Sequence, residues 1–281
     1  MQHIFRDTIR HWKRHNAPRM GAALSYYAML SFVPLLLLIV ILASSVFSKE
    51  LVQGTLMIEI TKLLGASTAQ YIDGILRTSS ISDATFTAAV VSAVITLFGA
   101  VGVFTELDQD FDTLWDTPKE RPVHQGLRAN IWGYVHKKLI AFSFVPMLVV
   151  LLVTVIAVTI FFAILEHMAV LPGALLVLIQ VMAPLALGTI LCAVTYRILP
   201  ERKLPWRVLL VGAFATTALF LIGNFLIVEY IKLIVHTDVF GGAASLVGLL
   251  VWIYYSAQVF FLGASFTYIY AHKRGIIPRR D

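Results

Sequence analysis

Six long stretches of this chain contain no Asp, Glu, Lys or Arg, and that one feature excludes most folds. They run over 21–47, 84–105, 139–165, 168–196, 208–228 and 239–271. Each exceeds the roughly 20 apolar residues that cross about 30 Å of hydrocarbon as a helix. A charge at the bilayer centre costs about 2.5–3.5 kcal/mol on the lenient insertion scale, so uncharged runs of this length mark spanning helices. A soluble domain of 281 residues would not gather 59% hydrophobic residues into such runs. The expected fold class is all-α: a polytopic membrane protein with six transmembrane helices and additional interfacial amphipathic helices. One transmembrane domain over 21–271 follows, with an N-terminal segment 1–20 and a basic tail 272–281.

The 22 Lys and Arg residues give the orientation. Arg6, Arg10, Lys13, Arg14 and Arg19 precede the first run. Lys119, Arg121, Arg128, Lys137 and Lys138 lie between the second and third. Arg197, Arg202, Lys203 and Arg207 lie at or beyond the end of the fourth, and Lys273, Arg274, Arg279 and Arg280 in the tail. The alternate connections hold only Lys49, Lys62, Arg77 and Lys232. Basic loops stay in the cytoplasm, so both termini are expected there, as an even number of spans requires. The formal net charge of +6 is assigned to anionic lipid headgroups rather than nucleic acid, because the bases sit at the ends of the runs. The first run follows a basic segment and spans 27 residues, too long for a cleaved signal sequence, so a signal anchor is expected.

The flanks carry their own patterns. Phe5, Ile9 and Trp12 have helical spacing among basic residues, which predicts an amphipathic surface helix over 1–20. In 48–83, Leu51, Leu56, Ile60, Leu63 and Leu64 predict one or two helices on the outer surface, covering a cavity or simply packed there. Leu107, Phe111, Leu114 and Trp115 form an amphipathic stripe that Pro118 and Pro122 are expected to end. Ser31-Phe32-Val33-Pro34 recurs as Ser143-Phe144-Val145-Pro146, a short echo compatible with a parallel repeat.

Motifs for chemistry are missing. Asp108, Asp110 and Asp112 resemble the start of a calcium loop, but Thr113 and Lys119 stand where Gly and Glu are needed. His11 and His15 have a spacing of four but lie on a basic face, and no other histidine belongs to a metal-ligand motif. No nucleophile elbow, phosphate loop or zinc-protease motif is present, and neither catalysis nor a cofactor or metal is expected. Cys192 is alone and reads as a small packing residue.

The polar residues inside the runs are more informative. Ser25, Tyr26, Tyr27 and Ser31 lie in the first, Gln180 in the fourth, Asn224 in the fifth and Gln258 in the sixth. Amides avoid lipid and seek partners or water within a bundle. They either bond helix to helix or line a cavity. Pro34, Pro146 and Pro184 kink their helices. Gly212, Gly223, Gly241, Gly242, Ala243, Gly248 and Gly263 allow close approach of the last two helices, and Trp252, Tyr254 and Tyr255 suit either stacking on a ligand or core packing. Without an acid or base at midspan, an amphiphilic substrate is favoured over a coupled ion.

These residues resemble a known family. The segment from Leu24 to Leu35, Leu114-Trp115, Tyr196-Arg197-Ile198-Leu199-Pro200 with Leu204-Pro205-Trp206-Arg207 and Val211-Gly212-Ala213-Phe214, and Gly241-Gly242, Leu250 to Tyr255 and Leu262-Gly263-Ala264 are similar, in order, to the motifs of the YihY/virulence factor BrkB family. Two departures stand out: Leu107-Asp108 where the family often has Leu-Asn, and Ser265 where it often has Glu. The resemblance implies a bacterial inner-membrane protein with six spans, linked to envelope integrity and suggested to transport lipids or other amphiphiles. An old ribonuclease BN label reached the family by misassignment, and the residues agree that no nuclease is expected. The expected function is transport or flipping of an envelope lipid or amphiphile. Ser25, Tyr26, Tyr27, Ser31, Pro34, Gln180, Asn224, Trp252, Tyr255 and Gln258 would border the cavity, and Arg197 and Arg207 would attract an anionic headgroup. Membrane lipids are the expected partners. The alternative is a non-transporting structural or assembly partner in the same membrane.

Overall fold

The computed structural model describes residues 2–44, 47–79, 86–117, 158, 161, 173–200, 202–236 and 244–277. Every regular element among them is a helix. The first, α1 (Gln2–Arg14), presents Trp12 to the bundle while Phe5 stays exposed. Asn16 takes the left-handed conformation, φ 56°, which Asn tolerates better than most residues. The chain then turns directly into α2 (Ala17–Ala43), which begins before the charge-free run and shortens the expected N-terminal segment. Pro34 lacks an N–H and its ring displaces the carbonyl one turn back, so α2 bends by 43° between Ala17–Phe32 and Pro34–Ile41. Ser31 Oγ donates to the carbonyls of Tyr27 and Ala28, both at 3.1 Å, just before that bend.

The first long connection folds as the two helices α3 (Lys49–Leu64) and α4 (Ala66–Ser79). Ser48 caps α3 by accepting from the Leu51 amide at 3.3 Å, and Gly65, at φ 83°, turns the chain into α4. Val52, Leu56, Ile60 and Leu64 of α3, with Ile72 and Leu76 of α4, pack against Leu36, Ile39 and Val40 of α2. Leu249 and Ile253 complete that core. The pair is packed on the bundle, as its apolar spacing requires.

Next comes α5 (Phe86–Leu114), one continuous helix that joins the second charge-free run to the amphipathic stripe. The two were expected as separate pieces. Phe111, Leu114 and Trp115 are fully buried. The helix closes before Pro118, through a left-handed Asp116 and a bond from the Thr117 amide to the Asp112 carbonyl at 2.9 Å. The remaining helices are α6 (Gly173–Ile198), α7 (Trp206–His236) and α8 (Ala244–Lys273). α7 continues past the expected limit of 228 through Glu229 and Lys232, and α8 reaches Lys273, two residues into the expected tail. The run 139–165 (apart from Val158 and Phe161), the amphipathic stretch from Gly126, the second copy of the echo and Gly241 to Ala243 lie outside the described residues.

By length and apolarity, two helices among the described residues can cross a membrane, α7 over Trp206–Ile231 and α8, and the bent α2 makes a third. Met182–Ile198 of α6 is a shorter apolar helix. Phe98, Ile222, Phe225 and Leu226 point outward, each more than two-thirds exposed. Large apolar side chains so exposed on long apolar helices need lipid tails rather than water around them, and the chain is a membrane protein. At one end of the bundle the termini converge. Lys273 pairs with Asp7, His15 stands 3.4 Å from Asp116, and Arg202 donates to the Trp115 carbonyl at 3.2 Å. This terminal end collects the basic residues of α1, α6, the turn after it and α8. The far end carries α3 and α4.

Hydrocarbon gives no hydrophobic drive for helices to associate, so close van der Waals contact has to hold them. α7 and α8 interlock reciprocally: a Cβ on Gly212 would overlap Thr267, and one on Gly263 would overlap Thr216. Both threonines are buried and donate to carbonyls of their own helix, Thr216 to Gly212 at 2.8 Å and Thr267 to Gly263 at 2.7 Å. Gly263→Ala is therefore expected to lower the melting temperature of the detergent-purified protein, by the equivalent of ~1–3 kcal/mol of overpacking. Adding Thr216→Gly should restore part of it; simple additivity of the two losses would show that the contact is not tight.

Candidate functional site

A buried node near the terminal end explains several signature residues. Tyr196 of α6 is fully buried; its hydroxyl donates to the Phe260 carbonyl at 2.8 Å and lies 3.1 Å from the Thr216 hydroxyl. Trp115 donates from Nε1 to the Ala264 carbonyl at 3.2 Å. Phe111 and Phe260 pack their rings against Tyr196, with centroids 5.5 and 5.1 Å away. Two aromatic donors, Trp115 just beyond α5 and Tyr196 of α6, thus reach carbonyls one turn apart on α8. Arg197 closes the turn after α6, donating to the Leu204 carbonyl at 2.7 Å with its guanidinium over the Trp206 ring. Lys203 donates to the carbonyls of Arg197, Ile198 and Pro200 at the same helix end. Arg207 is exposed. Arg197, expected to attract a headgroup, is thus engaged in holding this turn.

The other residues singled out from the sequence fall into two groups. Toward the terminal end, Ser25 is buried and donates to the Gly21 carbonyl at 2.6 Å. Tyr27 lies across Gly102, and Ser31 lies against Gly99, both on α5. Gln258 of α8 rests on Gly21 and reaches the Pro18 carbonyl from Nε2 at 3.4 Å, with its buried Oε1 left without a partner. Tyr26 is 61% exposed, with its ring edge-on to that of Tyr27 at 5.6 Å. Between α7 and α8, Trp252 donates to Asn224 Oδ1 at 3.0 Å, and Tyr255 crosses Gly223 to donate to the Phe220 carbonyl at 3.3 Å. Gln180 lies in α6, and its side chain is outside the described set. Asn224 and Gln258 both bond between elements. Cys192 lies 3.9 Å from the Thr217 hydroxyl in a half-buried packing position.

Asn224 also borders an open cleft of about 480 Å³ at the far end. Thr61, Lys62, Gly65 and Ala66, at the corner of α3 and α4, form one wall; Leu221, Phe225, Val228 and Glu229 of α7 join Asn224 on the other. Lys62 is largely exposed and pairs with Glu59 at 2.8 Å. The cleft therefore sets a cation already paired with Glu59, an amide and the Glu229 carboxylate beside an apolar helix face. Nothing in the sequence joined positions 61–66 to 221–229; their meeting depends on how α3 and α4 fold back.

Three titrating groups near the terminal end are displaced. Burial pushes the Asp110 carboxyl up to about 7, with Glu106 one turn away adding to it, and Oδ2 of Asp110 has no partner. Burial also pushes His11 down to about 4, with the neighbouring His15 contributing. Lys273 holds the exposed Asp7 carboxyl below its usual range by hydrogen bonding to it.

Comparison with known proteins gives one match. A family model described as Virulence factor BrkB matches residues 8–280. No curated protein and no solved structure matches the chain.

The Asp110 shift has a definite sign. Folding raises its carboxyl from the ordinary 3.8 to about 7, so its contribution to stability is present at low pH and lost as the pH rises through about 7. Asp110→Asn should abolish that loss: between pH 5 and pH 8, to choose two points roughly spanning the shift, the wild-type melting temperature should fall more than the variant's. Parallel curves would place Asp110 in water.

Proposed function

This chain belongs to the virulence factor BrkB family, and on that premise we propose that it is a six-span protein of a bacterial inner membrane that moves an envelope lipid or similar amphiphile between leaflets. Both termini face the cytoplasm in this reading, which puts the far-end cleft on the outer side. The charge count supports the orientation, and convergence of α1, the end of α5 and α8 at one end of the bundle agrees with it. The chain acts on its substrate by binding and release, without covalent chemistry, and is not an enzyme.

The observation that carries the proposal is the far-end cleft. Lys62 provides a cation and Asn224 an amide, while Leu221, Phe225 and Val228 offer an apolar wall continuous with exposed Ile222 and Leu226. An anionic headgroup competes with Glu59 for Lys62 and with Glu229 for the cleft, and its acyl chains stay in lipid along α7. No charge needs to enter the hydrocarbon on the protein's side. The bend of α2 at Pro34 supplies a place for the bundle to open. Arg207, exposed at the terminal end, remains a cation for headgroups of the inner leaflet.

The second reading, a non-transporting partner in membrane assembly, rests on a different observation: Asn224 and Gln258 are used between elements, as structural hydrogen bonds would be. Reconstitution separates the two. Vesicles containing the protein should exchange a fluorescent phosphatidylglycerol between leaflets faster than empty vesicles. Lys62→Gln, which keeps the bond from Trp252 to Asn224, should slow exchange several-fold without changing the melting temperature by more than a few degrees. Equal rates with and without the protein would favour the assembly reading.

A further inference from the structure

The terminal end assembles a group of side chains that lipid transport does not use. His11 and His15 sit one turn apart near the end of α1, their ring centroids 4.2 Å apart. Asp116, 101 residues away from His15 in sequence, faces them from the turn after α5. One ligating atom from each of the three lies within 4.8 Å of the other two. Tyr268 of α8 closes the group: its ring stacks on His11 at 4.9 Å and its hydroxyl donates to Asp116 Oδ2 at 3.0 Å.

The hydrogen bonding is what a cation site needs. His15 Nδ1 lies 2.9 Å from the His11 carbonyl, so that nitrogen carries the proton. In the neutral ring, Nε2 then presents a lone pair to Asp116 Oδ1 at 3.4 Å, acceptor against acceptor. A second proton on His15 or a cation beside both atoms resolves the conflict. His11 decides between them. Both of its ring nitrogens are buried and neither has a protein partner, so a second proton on His15 leaves His11 unsatisfied. A cation takes one nitrogen of His11 together with His15 and Asp116, and leaves only the second His11 nitrogen, as an N–H, without a protein partner. The supporting bonds match those found around metal ligands: a ligating imidazole donates its other N–H to a carbonyl, and a ligating carboxylate is held through its second oxygen.

The geometry points to a divalent transition-metal site, best suited to Zn2+, formed by His11, His15 and Asp116. Two imidazoles and one carboxylate are a nitrogen-rich set that Ca2+ and Mg2+ do not favour. Three protein donors leave the fourth position of a tetrahedral ion open. Bonds of roughly 2.0–2.1 Å draw the donors together by about an ångström, a movement within reach of side-chain rotation. Arg14, whose charge is felt at His11, and Arg202, beside Tyr268, oppose a dication, so micromolar affinity is expected. Bound metal ties α1 to the end of α5, and through Tyr268 to α8. This inference is independent of the transport reading.

The test uses the full-length protein without a histidine tag, stripped of metal by chelator and kept in detergent. Zn2+ titrated into it should bind at one ion per chain and raise the melting temperature, with no rise from Ca2+. Co2+ should give visible bands of a low-coordinate nitrogen and oxygen site. His11→Gln, His15→Gln and Asp116→Asn should each abolish the Co2+ bands, Tyr268→Phe should weaken binding roughly tenfold while keeping the stoichiometry, and His236→Gln on α7 should change nothing. If the ligand variants fail to fold, the wild-type stoichiometry and Co2+ spectrum still decide. Absence of one-to-one binding by the folded wild type, or binding unchanged in a folded His15→Gln variant, overturns the proposal.

Discussion

A peptide group inside hydrocarbon has no water to bond, and each one left unpaired costs several kcal/mol. That constraint shapes the molecule. It requires helices wherever the chain crosses lipid, and helices are the only regular elements among the described residues. It also confines the polar side chains within them. Ser25, Ser31, Thr189, Thr195, Thr216, Thr217, Ser256 and Thr267 each donate to a carbonyl of their own helix. A hydroxyl satisfied in this way can lie in an apolar interface without a partner on the neighbouring helix.

Association of the helices then depends on how closely they pack. The threonines that satisfy themselves are the ones that fill the glycine notches between α7 and α8, so one set of residues meets both demands. Longer donors link helices directly. Trp115 and Tyr196 spend their polar atoms on the second lone pairs of α8 carbonyls, while their rings fill the core around Phe111. These were signature residues of the family resemblance, and their surroundings assign them to holding the bundle together. The two proposed sites lie at the edges instead: the cleft at one end and the histidine group at the other.

Much of this was legible in the sequence, for physical reasons. Charge-free runs longer than a bilayer is thick, and amphipathic spacing in α1, α3 and α5, are local signals, and nearly all of the described residues that they marked form helices, while the run 139–165 lies almost wholly outside the described residues. Leu107, Phe111, Leu114 and Trp115 were named from spacing alone and all four are buried. Boundaries were less legible. α5 runs on as one helix because nothing between Thr105 and Leu114 breaks it, and α7 carries Glu229 and Lys232 because its last turns lie near the polar end. The site was least legible. Asn224 could be singled out as a polar residue in an apolar run, but its meeting with Lys62 depends on the turn at Gly65. His11 and His15 looked like part of a basic face because Asp116 is distant in sequence and Tyr268 more distant still.

The whole account depends on the bundle lying in lipid with its terminal end in the cytoplasm. Replacing Cys192 with Ser and introducing one new cysteine at a time places each end directly, using Thr61 at the far end and Ile276 at the terminal end, both exposed. With a membrane-impermeant maleimide on sealed spheroplasts, Thr61→Cys should be labelled at once and Ile276→Cys only after lysis. The reverse pattern, or labelling of both before lysis, would contradict the orientation on which the outer cleft depends.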